Sequence, residues 1–217
     1  MQQSKNSILE AGAKFLSDPK IMQRLPSDIQ QGIANGKKEF AYAEFYFKKR
    51  FTAITGIIDF IKETDTLVPG ERNFDKGVLP VDVYMALVSV GFGYAFDTTS
   101  GGVGIEPSAQ NFSNSEYFTT IHKQVRNSEF KLKNGNRIVL ECLTKTMLAD
   151  SLGGYGTDAN EENGLVLPQP KLMAPKSRIT AQFEFPANSV TATTNATNNH
   201  FGEIIMRGVK IVDRVEA

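Results

Sequence analysis

From Arg178 to Phe185 the chain alternates polar and apolar residues without a break: Arg-Ile-Thr-Ala-Gln-Phe-Glu-Phe. A period of two puts successive side chains on opposite faces of an extended strand. Ile179, Ala181, Phe183 and Phe185 are therefore predicted to share one buried face while the polar residues meet water. Pro186, a Ser/Thr/Asn-rich loop and a second apolar run, Ile204–Val212, follow. A strand of this kind needs neighbours, because an isolated hairpin is marginal in water.

The same texture recurs upstream. Glu39 to Phe51 is aromatic-rich, with Phe40 and Tyr42 in one phase and Phe45 and Phe47 in the other. A bulge, or burial of both faces, explains that slip. Ile54 to Ile61 is a second run, broken by Gly56. Val81 to Phe96 is predicted as the longest strand, with Tyr84, Ala86, Val88, Val90, Phe92, Tyr94 and Phe96 on one face. Gly91 and Gly93 sit opposite, where a bend or a close backbone approach is expected. A shorter strand is expected at Tyr117 to Val125. Asn134-Gly135, between Phe130 and Leu140, reads as a hairpin with both positive φ angles of a type I′ turn. Leu165 to Leu167 is expected as a short edge strand whose pairing Pro168, Pro170 and Pro175 limit. Eight or nine strands with several long loops predict an antiparallel β-sandwich.

Two short helices precede the strands. Ser7-Ile8-Leu9-Glu10 and Ser27-Asp28-Ile29-Gln30 have the spacing of capping boxes. Ile8, Ala11, Phe15 and Leu16 form an apolar stripe that Asp18-Pro19 stops, and Asn35-Gly36 ends the second helix. Helices this short need a surface to pack on, either the sandwich or a neighbouring subunit.

Bulk properties narrow the function. No run approaches the ~20 apolar residues of a membrane-spanning helix. The first residues lead into an amphipathic segment with Glu10 and Lys14, unlike a secretory signal core, so synthesis in a cytoplasm is expected. Cys142 is the only cysteine, which excludes an intrachain disulfide and a Cys-based zinc site. Its strand setting predicts a buried structural thiol. The net charge is zero, yet residues 1 to 50 hold nine basic side chains against five acidic ones. That excess lets the N-terminal part face an anionic surface, although dispersed solvated charge is the plainer reading.

No catalytic constellation stands out. Gly91-Phe92-Gly93 and Gly101-Gly102-Val103-Gly104 lack the Lys-Ser/Thr pair and the helix of a phosphate loop. Asp150, Asp158, Glu161 and Glu162 share a Gly-rich loop but not the Asp-x-Asp-x-Asp spacing of a calcium site. His122 and His200 stand apart from any ligand motif, and the acceptor-like Asn111-Phe112-Ser113 and Asn195-Ala196-Thr197 read as chance matches. The expectation is a protein that is not an enzyme, with no cofactor, no metal and no small-molecule substrate.

Several features together resemble the jelly-roll capsid proteins of tailless icosahedral bacterial viruses. They are the helical N-terminal arm, the aromatic-rich first strand and the hairpin Glu129 to Cys142 with its Lys-Asn-Gly-Asn-Arg turn. The proline-rich approach Pro168 to Pro175, the alternating strand and the final Arg-Gly-containing strand complete them. The resemblance implies a single jelly roll over residues 38–217 with an arm over 1–37, Arg178–Phe185 and Ile204–Val212 being its closing pair of strands. It also implies a structural virion protein: a bacteriophage capsid subunit, made in the host cytoplasm, that self-assembles as trimers or pentamers alongside other virion proteins. In that reading Ile8, Phe15, Leu16, Lys48, Lys49 and Arg50 make assembly or inner-surface contacts, and the basic arm faces an internal membrane or the genome. The alternative is a receptor- or carbohydrate-binding β-sandwich, a spike or accessory protein, with exposed aromatics such as Tyr155 as platforms. A cytoplasmic enzyme on a β scaffold is a remote third reading.

Overall fold

The computed structural model describes residues 5–51, 55–97, 123–148, 164–187 and 199–214. Among these residues the chain is mainly β, in two antiparallel four-stranded sheets facing each other across a hydrophobic core. The strands are β1 (Lys38–Arg50), β2 (Ile57–Ile61), β3 (Met85–Asp97), β4 (Glu129–Asn134), β5 (Arg137–Leu143), β6 (Leu165–Met173), β7 (Ile179–Glu184) and β8 (Asn199–Asp213). The first sheet has the order β1-β8-β3-β6 and the second β2-β7-β4-β5.

The alternating segment becomes β7, a central strand between β2 and β4. Its buried face contains Ile179, Ala181 and Phe183, with Phe185 just beyond, as the period of two requires. Among the described residues, Phe183 and Phe51 each meet four other rings in the core. The Phe183 ring centroid lies 5.4 Å from Phe51, 5.3 Å from Phe60, 5.2 Å from Phe92 and 5.1 Å from Phe130, in tilted or edge-on geometries that suit the ring quadrupoles. The last two strands do not pair with each other: β7 and β8 are central in opposite sheets.

The phase slip in β1 has its cause in the second face. β1 pairs with β8 in unbroken register from Lys38↔Asp213 to Arg50↔Phe201, so no bulge exists. Ala43, Phe45 and Phe47 point into the main core, while Phe40 packs into a second apolar cluster on the other side of the sheet. That cluster is covered by α1 (Lys5–Leu16), α2 (Pro19–Met22) and α3 (Ser27–Ala34), three helices where two were expected. Leu16, Leu25 and Ile29 meet Ala86, Val209 and Ile211 there. Neither capping box forms. Ser7 lies inside α1, and Pro26 occupies the cap position of α3; the side-chain cap belongs to Asp18, whose Oδ1 accepts the Lys20 amide at 2.8 Å.

In β3 the expected single face is wrong. The register with β8 shifts between Leu87 and Ser89, a bulge that inserts Val88. Met85 and Leu87 face the main core before it, Val90, Phe92 and Tyr94 after it, and Ala86 turns to the helices. The close backbone approach expected beside Gly91 is present, since a Cβ on Gly164 would lie 3.1 Å from the Gly91 Cα. β8, with 15 residues, is longer than β3, with 13.

The β4–β5 hairpin turns on Gly135 and Asn136, because Asn134 still pairs with Arg137. Only Gly135 has a positive φ, +58°, the pattern of a type II′ turn in place of the expected I′. β6 extends to Met173, further than expected, and carries Pro168 and Pro170 where its register with β3 jumps from Lys171 to Val166. It is an edge strand, where proline is tolerated. The expected strand at Tyr117 to Val125 is corrected in its last residues: Lys123–Arg126 is a helical turn, α4.

Candidate functional site

The outward face of the β1–β8 pair carries a row of partly buried charges. The unbroken register sets Glu44 beside Arg207 and Lys48 beside Glu203, with Tyr46 and Ile205 between them. Arg207 Nε donates to Glu44 Oε2 at 3.0 Å, and Tyr42 Oη donates to the same oxygen at 3.1 Å. Lys48 Nζ sits 3.5 Å from Glu203 Oε1 and 5.6 Å above the Tyr46 ring. Lys5 of α1 lies 5.8 Å over the Tyr42 ring and ties the arm to this row.

Burial sets the electrostatics. It pushes the Glu203 carboxyl above the usual carboxylate range, and Lys48 only partly opposes that. Burial, then the adjacent Glu44 carboxylate, raises the Tyr42 phenol to about 12. Arg207 is only 3% exposed, and its ion pair with Glu44 offsets the cost of taking that charge out of water. The row is a set of matched charges that the β1–β8 register brings together.

At the end of β1 a second network closes the sandwich. Lys49 Nζ binds both oxygens of Asp65, at 2.9 and 2.8 Å, and Asp65 Oδ2 also accepts the Lys62 amide at 2.8 Å. Arg72 reaches Asp65 at 3.5 Å and Glu71 at 2.7 Å, its guanidinium 4.9 Å over the Phe47 ring. Burial lowers the Lys49 ammonium, and Asp65 works against that shift. The loop that supplies these acids also covers the free edge of β1. Asn73 Oδ1 accepts the Tyr46 amide at 2.9 Å, and its Nδ2 donates to the Glu44 carbonyl at 2.8 Å. Its side chain thus copies a neighbouring strand's peptide group.

The six residues singled out in the sequence are not brought together. Ile8 and Leu16 are buried and Phe15 is half-buried against the first sheet. Lys48 and Lys49 point to opposite faces of β1 and are each paired with an acid. Arg50 is half-buried, and its Nε has no hydrogen-bond partner among the described residues. Sequence reasoning missed Glu44, Glu203 and Arg207. One signal was present, since Arg207 is the lone charge in the outward phase of the run Ile204–Val209.

His200 is buried, with Nδ1 2.5 Å from Tyr94 Oη, inside the sandwich end. Burial raises the half-buried Cys142 thiol to about 11, well away from a nucleophile's range. No group of three His, Cys, Asp or Glu able to hold a metal occurs among the described residues. His122, Tyr155, Asp150, Asp158, Glu161, Glu162 and the motifs at 101–104, 111–113 and 195–197 lie outside the described residues. No helix among those residues is long and apolar enough to cross a membrane. In comparison with known proteins, no family model matches the chain and no curated protein matches its sequence.

Proposed function

We propose that the chain is a structural, self-assembling subunit of a bacteriophage shell, built on a single jelly roll. The observation that supports this most is the nesting of the strands. β1 pairs with β8, β2 with β7, β3 with β6 and β4 with β5, and the pairs alternate between the two sheets. A long antiparallel ribbon, folded at the Gly135 turn and then wrapped as in a jelly roll, would produce this order, which supports that reading. The fold hosts more than one function, so the shell reading rests also on the resemblance of the arm and the C-terminal strands to capsid proteins.

The arm's role takes a definite form. Lys48 and Lys49 are paired with acids, but Lys5, Lys14, Lys20, Arg24 and Lys37 are exposed on or beside the helices, against exposed Glu10, Asp18 and Asp28. The helices therefore bury their apolar side on the first sheet and present a mildly basic outer side. In the assembled particle that side faces an anionic layer, an internal membrane or the genome.

Size-exclusion chromatography with light scattering, followed by negative-stain imaging, tests the proposal. Trimers or pentamers that grow into closed or sheet-like lattices are the expected result. A stable monomer that binds glycans would overturn it in favour of a carbohydrate-binding sandwich.

A further inference from the structure

Two stacked sheets have four edge strands, and exposed edges invite pairing with other chains unless they are blocked. Three of the four are blocked here. The β1 edge is covered from Glu44 to Lys48 by the Asn73 loop, whose Glu71 carbonyl also accepts the Lys48 amide at 2.7 Å. The β6 edge is interrupted by Pro168 and Pro170 at its register jump. β2 has only five residues, and a very short edge offers little to pair with.

β5 differs. It has seven residues and pairs only with β4, and no other backbone hydrogen bond reaches Arg137–Leu143 among the described residues. Its register with β4 shifts at Val139, so Ile138, Glu141 and Leu143 stand opposite the outward Lys133, Lys131 and Glu129. Ile138 is 49% exposed and Leu143 38%, at opposite ends of the strand and on the same outer face.

We propose that the β5 edge is a self-association surface whose occupant is β5 of a second copy of this chain, paired antiparallel about a two-fold axis. The match is isologous, as a two-fold interface demands. Reversing the strand sets Ile138 of each copy against Leu143 of the other, so both exposed apolar side chains are covered twice over. Glu141 of each copy then lies near the axis. Its charge is already answered within its own chain by Lys131 Nζ at 2.6 Å, which lessens the like-charge penalty that opposes the pairing. The joined edges run about 23 Å. Such a contact buries less than the ~1,200 Å² of a stable complex, so the dimer is weak and depends on concentration.

Sedimentation velocity over a hundredfold range of concentration tests this, using Ile138→Lys, Leu143→Glu and the double variant. Both sites are exposed, and thermal melts confirm that each variant folds. The wild type is expected to shift toward dimer as concentration rises, and either single change to raise the dissociation constant at least tenfold. The double variant sets the introduced lysine of one copy against the introduced glutamate of the other at both ends of the joint, and it is expected to recover most of the loss. A wild type that stays monomeric, single variants that associate as the wild type does, or a double variant without recovery would each overturn the proposal. Particle formation is read separately by negative stain. Shells that form with β5 changes ineffective reject the edge pairing alone, whereas a β5 dimer without shells rejects the shell reading alone.

Discussion

Gly12 is where the helical arm rests on the sheet, and it gives the sharpest test of how the two are joined. A Cβ at this position would fall inside the Val209 Cγ2 methyl, 2.7 Å from Val209 Cβ and 3.4 Å from Val88 Cγ2. On helix propensity alone, Gly12→Ala should stabilise α1 by about 1 kcal/mol. Overpacking of a filled core contact costs about 1–3 kcal/mol, and Val209, a stiff β-branched residue in a central strand, cannot turn aside. The clash wins, so the net expectation is a loss of about 1–2 kcal/mol. Val209→Ala removes the methyl responsible for the deepest overlap and leaves a Cβ to which the helix can adjust by a few tenths of an ångström. In that background Gly12→Ala should be close to neutral, which gives a coupling energy of about 1–2 kcal/mol. Urea unfolding followed by circular dichroism measures all four corners of the cycle. Equal effects of Gly12→Ala in both backgrounds, or stabilisation in the wild type, would refute the close packing of α1 on β8.

Three further expectations rest on single groups. The raised Glu203 carboxyl favours its protonated form in the folded state, so its contribution is present below the ordinary carboxylate value of about 4.3 and is lost as pH rises through the higher folded value. The stability of the wild type relative to Glu203→Gln should fall across that window, as chemical denaturation at stepped pH would record; a flat difference would contradict the burial. Asn73→Asp keeps the acceptor for the Tyr46 amide and loses the donor to the Glu44 carbonyl. It should cost about 1–2 kcal/mol and increase aggregation through the reopened β1 edge, read by thermal melts and light scattering. Cys142, raised to about 11, should react with a thiol reagent at pH 8 roughly a hundredfold more slowly in the native than in the unfolded chain. Equal rates would mean that the thiol is not held in the edge of the core.

Much of the strand pattern was legible because period-two burial is a local property. Ile179, Ala181 and Phe183 needed no knowledge of their neighbours to be placed. Phases that depend on partners were not legible. Val88 carries no mark distinguishing a bulge from regular strand, and the insertion exists because β8 passes β3 with one residue fewer. Phe40 and Tyr42 looked out of phase only while the helices that cover their face were unplaced. The capping boxes failed for a related reason. Ser7 and Ser27 have the right spacing, but α1 begins two residues earlier and Pro26 fixes the entry to α3. The ionic row was hidden most completely. Glu44 and Arg207 are 163 residues apart, and only the β1–β8 register makes them neighbours.

The insertion of β8 between β1 and β3 has a consequence for how the chain comes into being. Among the described strands only β4 and β5 are joined by a tight turn, so the first sheet depends on contacts between distant parts of the chain. At ~5–20 residues per second, β1 leaves the ribosome on the order of ten to thirty seconds before β8 is complete. Until then Phe45 and Phe47 have no ladder partner on β8, and β3 is paired on one side at most. The first sheet is complete only when Asn199–Asp213 joins β1 to β3, and a chain halted before that point leaves Phe45 and Phe47 without that cover.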